Sequence, residues 1–468
     1  MPTDDAPPTR VVIAGGGIAA LEALLALRDL AGTRVELTLL APGEDFVHRP
    51  LAVTEPFGLG RPQRVPLAGI AQSFGARLVA EALERVDEAA GMAVTSGGDR
   101  LPFDALLVAT GARAEPALAP ALTWWAESDP SLLAGVLGDL AQGRARRIAF
   151  VVPAPAAWPL PAYELALLTR RAAEAAGVEA EIIVVTPEEQ PLGLFGTAAT
   201  AAVGADLAAA GIAVRTGAYA ERVTRGRPFT LALAPGGDAL EADHVVALPR
   251  VGGPRIAGLP ADPAGFLPIT SHCQVAGCAR VWAAGDGTSF PLKQGGIATQ
   301  QADAAAADIA ALAGAGNRPE PFRPVLRGIL LTGARPRFLK HEAAGGGGEG
   351  LTGEARLWWP PTKVAGRYLA PYLAARDPSV IIDPRPATLP EDRRRGRGAP
   401  GAGRGNVDGR FGPEPAARPR PCGGLSRMAP AGTWTSIGPC PPRPTHRSGS
   451  SSPARASPAS RRCSPCAG

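Results

Sequence analysis

Apolar runs of strand length alternate with helix-spaced apolar positions along most of this chain. VVIAG (11–15) is a continuous apolar run, and IAALEALLALRDL (18–30) carries apolar residues at helical spacing. VELTLLA (35–41) is a second strand pattern, so the segment predicts a βαβ unit with a glycine-rich first turn. The theme repeats further on. RIAFVV (147–152) predicts a strand, YELALLTRRAAEAAG (163–177) a helix closed by glycine, and AEIIVV (180–185) a strand. TAATAAVGADLAAAGI (197–212) adds a helix and ADHVVAL (242–248) a strand. A third block joins ARVWAAGDG (279–287) to the alanine-rich helix pattern of 297–314. A GGGGEG loop then precedes the aromatic-rich LWWPPTKVAGRYLAPYLA (357–374). From Arg385 onward arginine, proline, glycine and serine dominate without periodicity. Such a composition buries no core and predicts disorder. A true disordered extension and a shifted reading frame in a GC-rich gene remain open as its origin.

The first turn carries chemistry. Gly15-x-Gly17-x-x-Ala20 sits between a predicted strand and a predicted helix. Gly15 permits the tight turn, Gly17 lets the backbone approach a pyrophosphate, and Ala20 lets helix and strand pack closely. The helix N-terminus offers unpaired N–H groups and partial positive charge to phosphates. A ribose-binding acid is expected at the end of the second strand, where Ala41 stands; Glu44 or Asp45 is the nearest substitute. Two later stretches favour FAD over NAD. PFDALLVATGAR ends a strand at Thr110-Gly111, and VWAAGDG puts Gly285-Asp286 at a strand end, where an acid can hold a ribityl hydroxyl. The helix after Gly295-Gly296 would aim its positive end at the flavin ring.

The order GxGxxA, ATG and AAGD followed by an alanine-rich helix resembles the FAD/NAD(P)-binding pyridine nucleotide-disulfide oxidoreductase superfamily over roughly residues 10–380. The resemblance implies an α/β fold with two Rossmann-like three-layer domains. Residues 10–115 and 265–318 would bind FAD, and 145–250 would form the second such domain with a degenerate nucleotide site. A small C-terminal region (319–384) and the tail (385–468) would follow. It also implies that Gly15, Gly17 and Ala20 touch the FAD pyrophosphate, Leu83 meets adenine, and Thr110 and Gly111 border the cofactor. Asp286 beside Gly285 would bind the ribityl chain, with Lys293 and Gln294 at the flavin pyrimidine edge. FVHRPL (46–51) is similar to the proline-bearing segment that passes the flavin in quinone-reducing members.

A working NAD(P)H site would repeat GxGxxG after the strand at 147–152. The chain has Pro153-Ala154-Pro155-Ala156-Ala157-Trp158-Pro159 there. Prolines remove backbone donors and side chains block close phosphate approach. WPLPAYELAL and VVTPEEQPLGLFG resemble segments of sulfide:quinone oxidoreductases and flavocytochrome c sulfide dehydrogenases, a branch whose second domain binds no nicotinamide. That branch oxidises sulfide with cysteines near the flavin, and this chain has none before Cys273. Cys273 and Cys278 read as structural. The candidate catalytic residues are Glu164 and Lys293. Glu164 reads as a proton relay or as a charge complementing a helix N-terminus. Lys293 reads as a cation favouring reduced flavin or as a solvated charge.

Charge splits the chain. Fifteen arginines against four acids lie from Arg385 onward, so the remainder is net acidic and the pI of about 9.1 is no argument for nucleic acid. Four cysteines lie in the tail; its CSPC (463–466) lacks a second ligand pair for a metal site. His48, His244 and His272 show no metal spacing. No run of about 18 apolar residues predicts a membrane span. The N-terminus does not read as a signal peptide, which points to the cytoplasm. Trp358, Trp359, Tyr368 and Tyr372 suggest either packing in the fold or peripheral contact with the inner face of a membrane. The expected function is an FAD-dependent oxidoreductase serving a small-molecule donor and an acceptor such as a quinone. A type II NADH dehydrogenase-like enzyme and a non-catalytic flavoprotein scaffold are the alternatives. Oligomeric state is not legible.

Overall fold

The computed structural model describes residues 7–342 and 349–384. The tail from Arg385, its CSPC and most of the GGGGEG loop lie outside the described residues. In chain order the central elements begin with β1 (Thr9–Ala14), α1 (Ile18–Ala31), β2 (Val35–Leu40), β3 (Ala76–Val79) and β4 (Ala105–Val108). They continue through β5 (Leu122–Thr123), α2 (Pro130–Ala141), β6 (Arg147–Val151), α3 (Leu160–Ala176), β7 (Glu181–Val185), α4 (Thr197–Ala209) and β8 (Ala213–Arg215). Next come β9 (His244–Ala247), β10 (Val281–Ala283) and α5 (Gly295–Leu312). The described C-terminal region holds β11 (Val325–Leu330), β12 (Arg337–Glu342), β13 (Leu351–Gly353) and α6 (Leu369–Arg376).

Two five-stranded parallel sheets dominate, in the orders β10-β4-β1-β2-β3 and β5-β9-β6-β7-β8. Thr9 pairs Val35 and Val11 pairs Ala105 across the first; Arg147 pairs Glu181 and Ile148 pairs His244 across the second. Both central strands are buried on both faces, which is why their apolar runs are continuous rather than alternating. Each sheet is the middle of three layers. In the first, α1 and α5 cover one face around Leu24, Leu37, Leu107 and Ile309. A three-stranded antiparallel ribbon (83–102) covers the other through Leu83, Val86 and Leu101. In the second, α2, α3 and α4 pack on one face and a ribbon (219–242) on the other through Val223 and Leu231. The protein is thus an α/β fold built from two Rossmann-like three-layer units.

Local signals explain the helix ends. α3 starts three residues before the periodic pattern, because Pro159 and Pro161 sit in a first turn that needs no N–H donors. Gly177 closes it in the left-handed conformation at φ 67°. The C-terminal region ties both units together: Leu326, Leu330 and Leu339 join the second core, Leu369 and Leu373 the first. Buried Glu22 of α1 accepts the Tyr368 and Leu369 N–H groups at 2.9 and 2.7 Å, which seats the start of α6. Three of the four C-terminal aromatics are packed. Trp358 stands edge-on to Phe338, Tyr368 Oη donates to Asp29 at 3.0 Å, and Tyr372 lies on Phe74. Trp359 is 73% exposed. Among the described residues no helix is long and apolar enough to cross a membrane.

Candidate functional site

The carboxyl ends of both parallel sheets open onto one cavity of about 810 Å³. Its first wall is the Gly15 turn. Gly15 adopts φ +134°, and a Cβ there would stand 2.2 Å from the Ala109 carbonyl oxygen, so the turn next to β4 demands glycine. Gly17 immediately precedes α1 and has open space where a Cβ would be. The protein itself does not require glycine at that position; a ligand approaching the helix N-terminus would. The residues therefore fit a phosphate-bearing cofactor such as FAD. Leu83, Thr110, Gly111, Gly285, Asp286, Lys293 and Gln294 line the same cavity, as does Asp45. Glu44 does not; its carbonyl instead accepts the Leu67 N–H at 2.8 Å.

Ala20 needs correction. It is fully buried in the core between α1 and its neighbours and does not line the cavity. The small side chain serves the close packing of helix on sheet rather than contact with a pyrophosphate.

The far side of this wall is held by α5. Gln294 caps it, accepting the Ile297 N–H at 2.8 Å and donating to the Arg327 carbonyl at 3.0 Å. Gln301 accepts the Gly285 N–H at 2.8 Å and so fixes the strand-end turn that carries Asp286. Burial pushes the Asp286 carboxyl up to about 6, against the pull of Lys293 and Arg49. Lys293 is not a solvated charge. Its ammonium donates to the Thr288 and Phe290 carbonyls at 2.6 and 2.7 Å and stands 3.7 Å from the Phe266 ring centre. Burial lowers it to about 8, opposed by Asp286 and Asp262.

The second wall is the segment that replaces a nucleotide turn. Val152, Pro153, Ala156, Ala157 and Trp158 all line the cavity. The Ala157 carbonyl accepts the Lys293 N–H at 3.1 Å, joining the two walls. Trp158 stands edge-on to Phe195. After β7, where a nucleotide site would place its acid, Oε2 of half-buried Glu188 accepts from Tyr163 Oη at 2.7 Å and Thr186 Oγ1 at 2.9 Å.

Between the walls lies a buried ion pair. Glu164, 1% exposed in the second turn of α3, receives Lys363 Nζ at 2.5 and 2.7 Å and the Leu331 N–H at 2.9 Å. Burial raises the Glu164 carboxyl, and Lys363 works against that rise. Its charge therefore answers a specific partner rather than a helix N-terminus, which overturns the helix-end reading. Sequence reasoning missed Lys363, whose one signal was lysine scarcity in a chain whose cations are nearly all arginine. It also missed His48. That ring is 1% exposed with Nδ1 unbonded among the described residues, and burial followed by the charge of Lys363 lowers it to about 4. Neither described cysteine lines the cavity; burial pushes Cys273 up to about 12 and Cys278 to about 11.

Two parallel sheets, each topped at its reversal point by an opening onto one cavity, define a protein of the flavin and dinucleotide-binding class. Residues 163–307 match the family described as pyridine nucleotide-disulphide oxidoreductase. No curated protein matches the chain. Among solved structures it is similar to the sulfide:quinone oxidoreductase of Aquifex aeolicus, at 19% identity and a TM-score of 0.67, covering 74% of this chain and 86% of that one. A NAD-dependent persulfide reductase from A. fulgidus matches at 17% identity and a TM-score of 0.52, covering 70% and 63%. A ferredoxin reductase of the CYP199A2 system from Rhodopseudomonas palustris matches at 17% and 0.52, covering 72% and 89%. The family match thus rests on residues 163–307, and the likeness to the solved structures is one of fold.

Proposed function

We propose that this protein takes two electrons from a small-molecule donor other than NAD(P)H and passes them through FAD to a quinone or a comparable acceptor. One observation carries the reading. Two turns occupy equivalent places above equivalent sheets and face one cavity, yet only the Gly15 turn offers a phosphate cradle. The quinone is suggested by the named acceptor of the Aquifex aeolicus neighbour. Sulfide is a poor donor, since no described cysteine reaches the cavity to take the sulfur.

In this reading Gly15, Gly17 and the N-terminus of α1 hold the FAD pyrophosphate, Asp45 stands in for the ribose acid, and Leu83 meets adenine. Thr110 and Gly111 border the cofactor, and Asp286 holds the ribityl chain. Bound FAD supplies two-electron chemistry. The chain's own residues set its surroundings: Gln294 caps α5 so that its positive end faces the cavity, and Lys293 adds a fixed cation there. Glu164 Oε1 and Oε2, held by Lys363, form the proton-carrying group nearest the reacting region. Anaerobic titration with NADH tests the proposal. The flavin absorbance stays oxidised if it holds; rapid bleaching would sink it.

A further inference from the structure

The second sheet reverses its winding at β6, with β7 laid on one side and β9 on the other. In open parallel sheets, ligands enter outside the carboxyl ends of the strands at such a reversal. Those ends are Val152–Pro153 after β6 and Leu248–Pro249 after β9, flanked by Trp124–Trp125 after β5. All six residues line the cavity.

The main chain of these six strand-end residues has no donor to give. Trp124 N–H donates to the Ala247 carbonyl at 2.8 Å and Trp125 N–H to Ser128 Oγ at 2.8 Å. Val152 N–H is bonded to Val185 and Leu248 N–H to Val151, both at 2.9 Å. Pro153 and Pro249 have no N–H. The nearby cations are engaged as well. Arg113 donates to the Pro254 carbonyl at 2.7 Å, Arg49 pairs with Glu127 at 2.5 Å, and Lys363 is held by Glu164. A phosphate or carboxylate entering between these strand ends would lose its hydration and find no replacement partner among them. Half-buried Trp125 and Trp158 instead offer ring surface at low conformational cost.

We infer that the crevice beyond β6 and β9 binds an uncharged molecule carrying a planar aromatic ring, and rejects the same ring bearing a phosphate. This rests on the reading that the second unit binds no dinucleotide, and it adds the class of compound admitted in its place.

Calorimetric titration of the oxidised holoprotein tests it with two probes, 1-naphthol and 1-naphthyl phosphate. Naphthol is expected to bind saturably, with naphthyl phosphate at least about tenfold weaker because its charge is left unpartnered. Trp125→Ala is expected to weaken naphthol about tenfold through lost ring contact, with flavin content and melting temperature unchanged. Equal or tighter binding of the phosphate, absence of naphthol binding, or an unchanged naphthol affinity in a folded, flavin-loaded Trp125→Ala would each overturn the inference. The two readings fail separately. NADH bleaching beside intact naphthol selectivity would remove the proposed donor and leave the crevice standing. An oxidised flavin beside absent naphthol binding would do the reverse.

Discussion

The turns after β1 and β6 occupy the same place in two copies of one architecture, and they have opposite chemistry. After β1, glycine is enforced by an adjacent carbonyl at Gly15 and left open toward a ligand at Gly17. After β6, prolines, alanines and a tryptophan occupy the equivalent space, and one carboxylate oxygen of Glu188 beyond β7 is taken by Tyr163 and Thr186. The comparison separates fold from function. A parallel sheet with a covering helix is kept by buried Val, Ile, Leu and Ala, whereas the capacity to hold phosphate resides in a few turn residues that contribute little to the core.

The largest effect should come from attacking the first turn. Gly15→Ala places a Cβ against Ala109 at a φ that alanine rarely adopts. It is expected to cost about 3 kcal/mol or more and to yield protein without bound flavin absorbance. A stable, yellow Gly15→Ala would break the contrast between the turns.

Next comes the buried pair that joins α3 to the C-terminal region. Lys363→Met leaves the Glu164 charge buried and alone, at a cost of about 3–5 kcal/mol in thermal or denaturant unfolding. Adding Glu164→Gln should restore much of the stability but not turnover. If the double variant is as unstable as the single one, the pair is not the coupled unit described.

One part of the pH response should reside in the first wall. The Asp286 carboxyl lies at about 6 in the fold against an ordinary value of 3.8. Folding therefore favours its protonated form. That contribution is fully present below about pH 4 and is lost as pH rises to about 6, on the order of 2–3 kcal/mol. Asp286→Asn should remove this share of the slope from the stability profile of cofactor-stripped protein across the window; an unchanged slope would assign the titration elsewhere.

The smallest effect belongs to the second turn. Pro153→Ala removes no hydrogen bond and should shift stability by no more than about 0.5–1 kcal/mol. It should also fail to confer NADH reduction of the flavin, because Trp158 and the Tyr163–Glu188 contact remain. Gain of NADH activity would show that one proline alone had closed the site.

Much of this was legible along the chain. β1, β2, β6, β7 and the helices between them follow from local periodicity, and the Gly15 and Asp286 turns follow from short motifs whose residues are neighbours in sequence. The misreadings have a common cause. Ala20 as a pyrophosphate contact, Glu164 as a helix-end charge and Lys293 as a solvated charge are readings of local position, and the surroundings of these residues come from elsewhere. Ala20 is enclosed by the core, Glu164 meets Lys363 from the far C-terminal region, and the Lys293 ammonium turns onto the ring of Phe266. His48 read as scattered because nothing local shows that its ring is buried near Lys363.

The alternation of strands and helices, the glycine turn able to approach a pyrophosphate, and the prolines that deny such an approach in the second turn are all written in the order of residues. These are properties of backbone conformation and donor count, set within a few residues. Long-range packing sets the rest: both turns open onto one cavity, Glu164 is neutralised by a lysine 199 residues away, and the N–H groups of Trp124, Trp125, Val152 and Leu248 are already taken. Burial and long-range pairing depend on which surfaces meet, and no local pattern records that meeting.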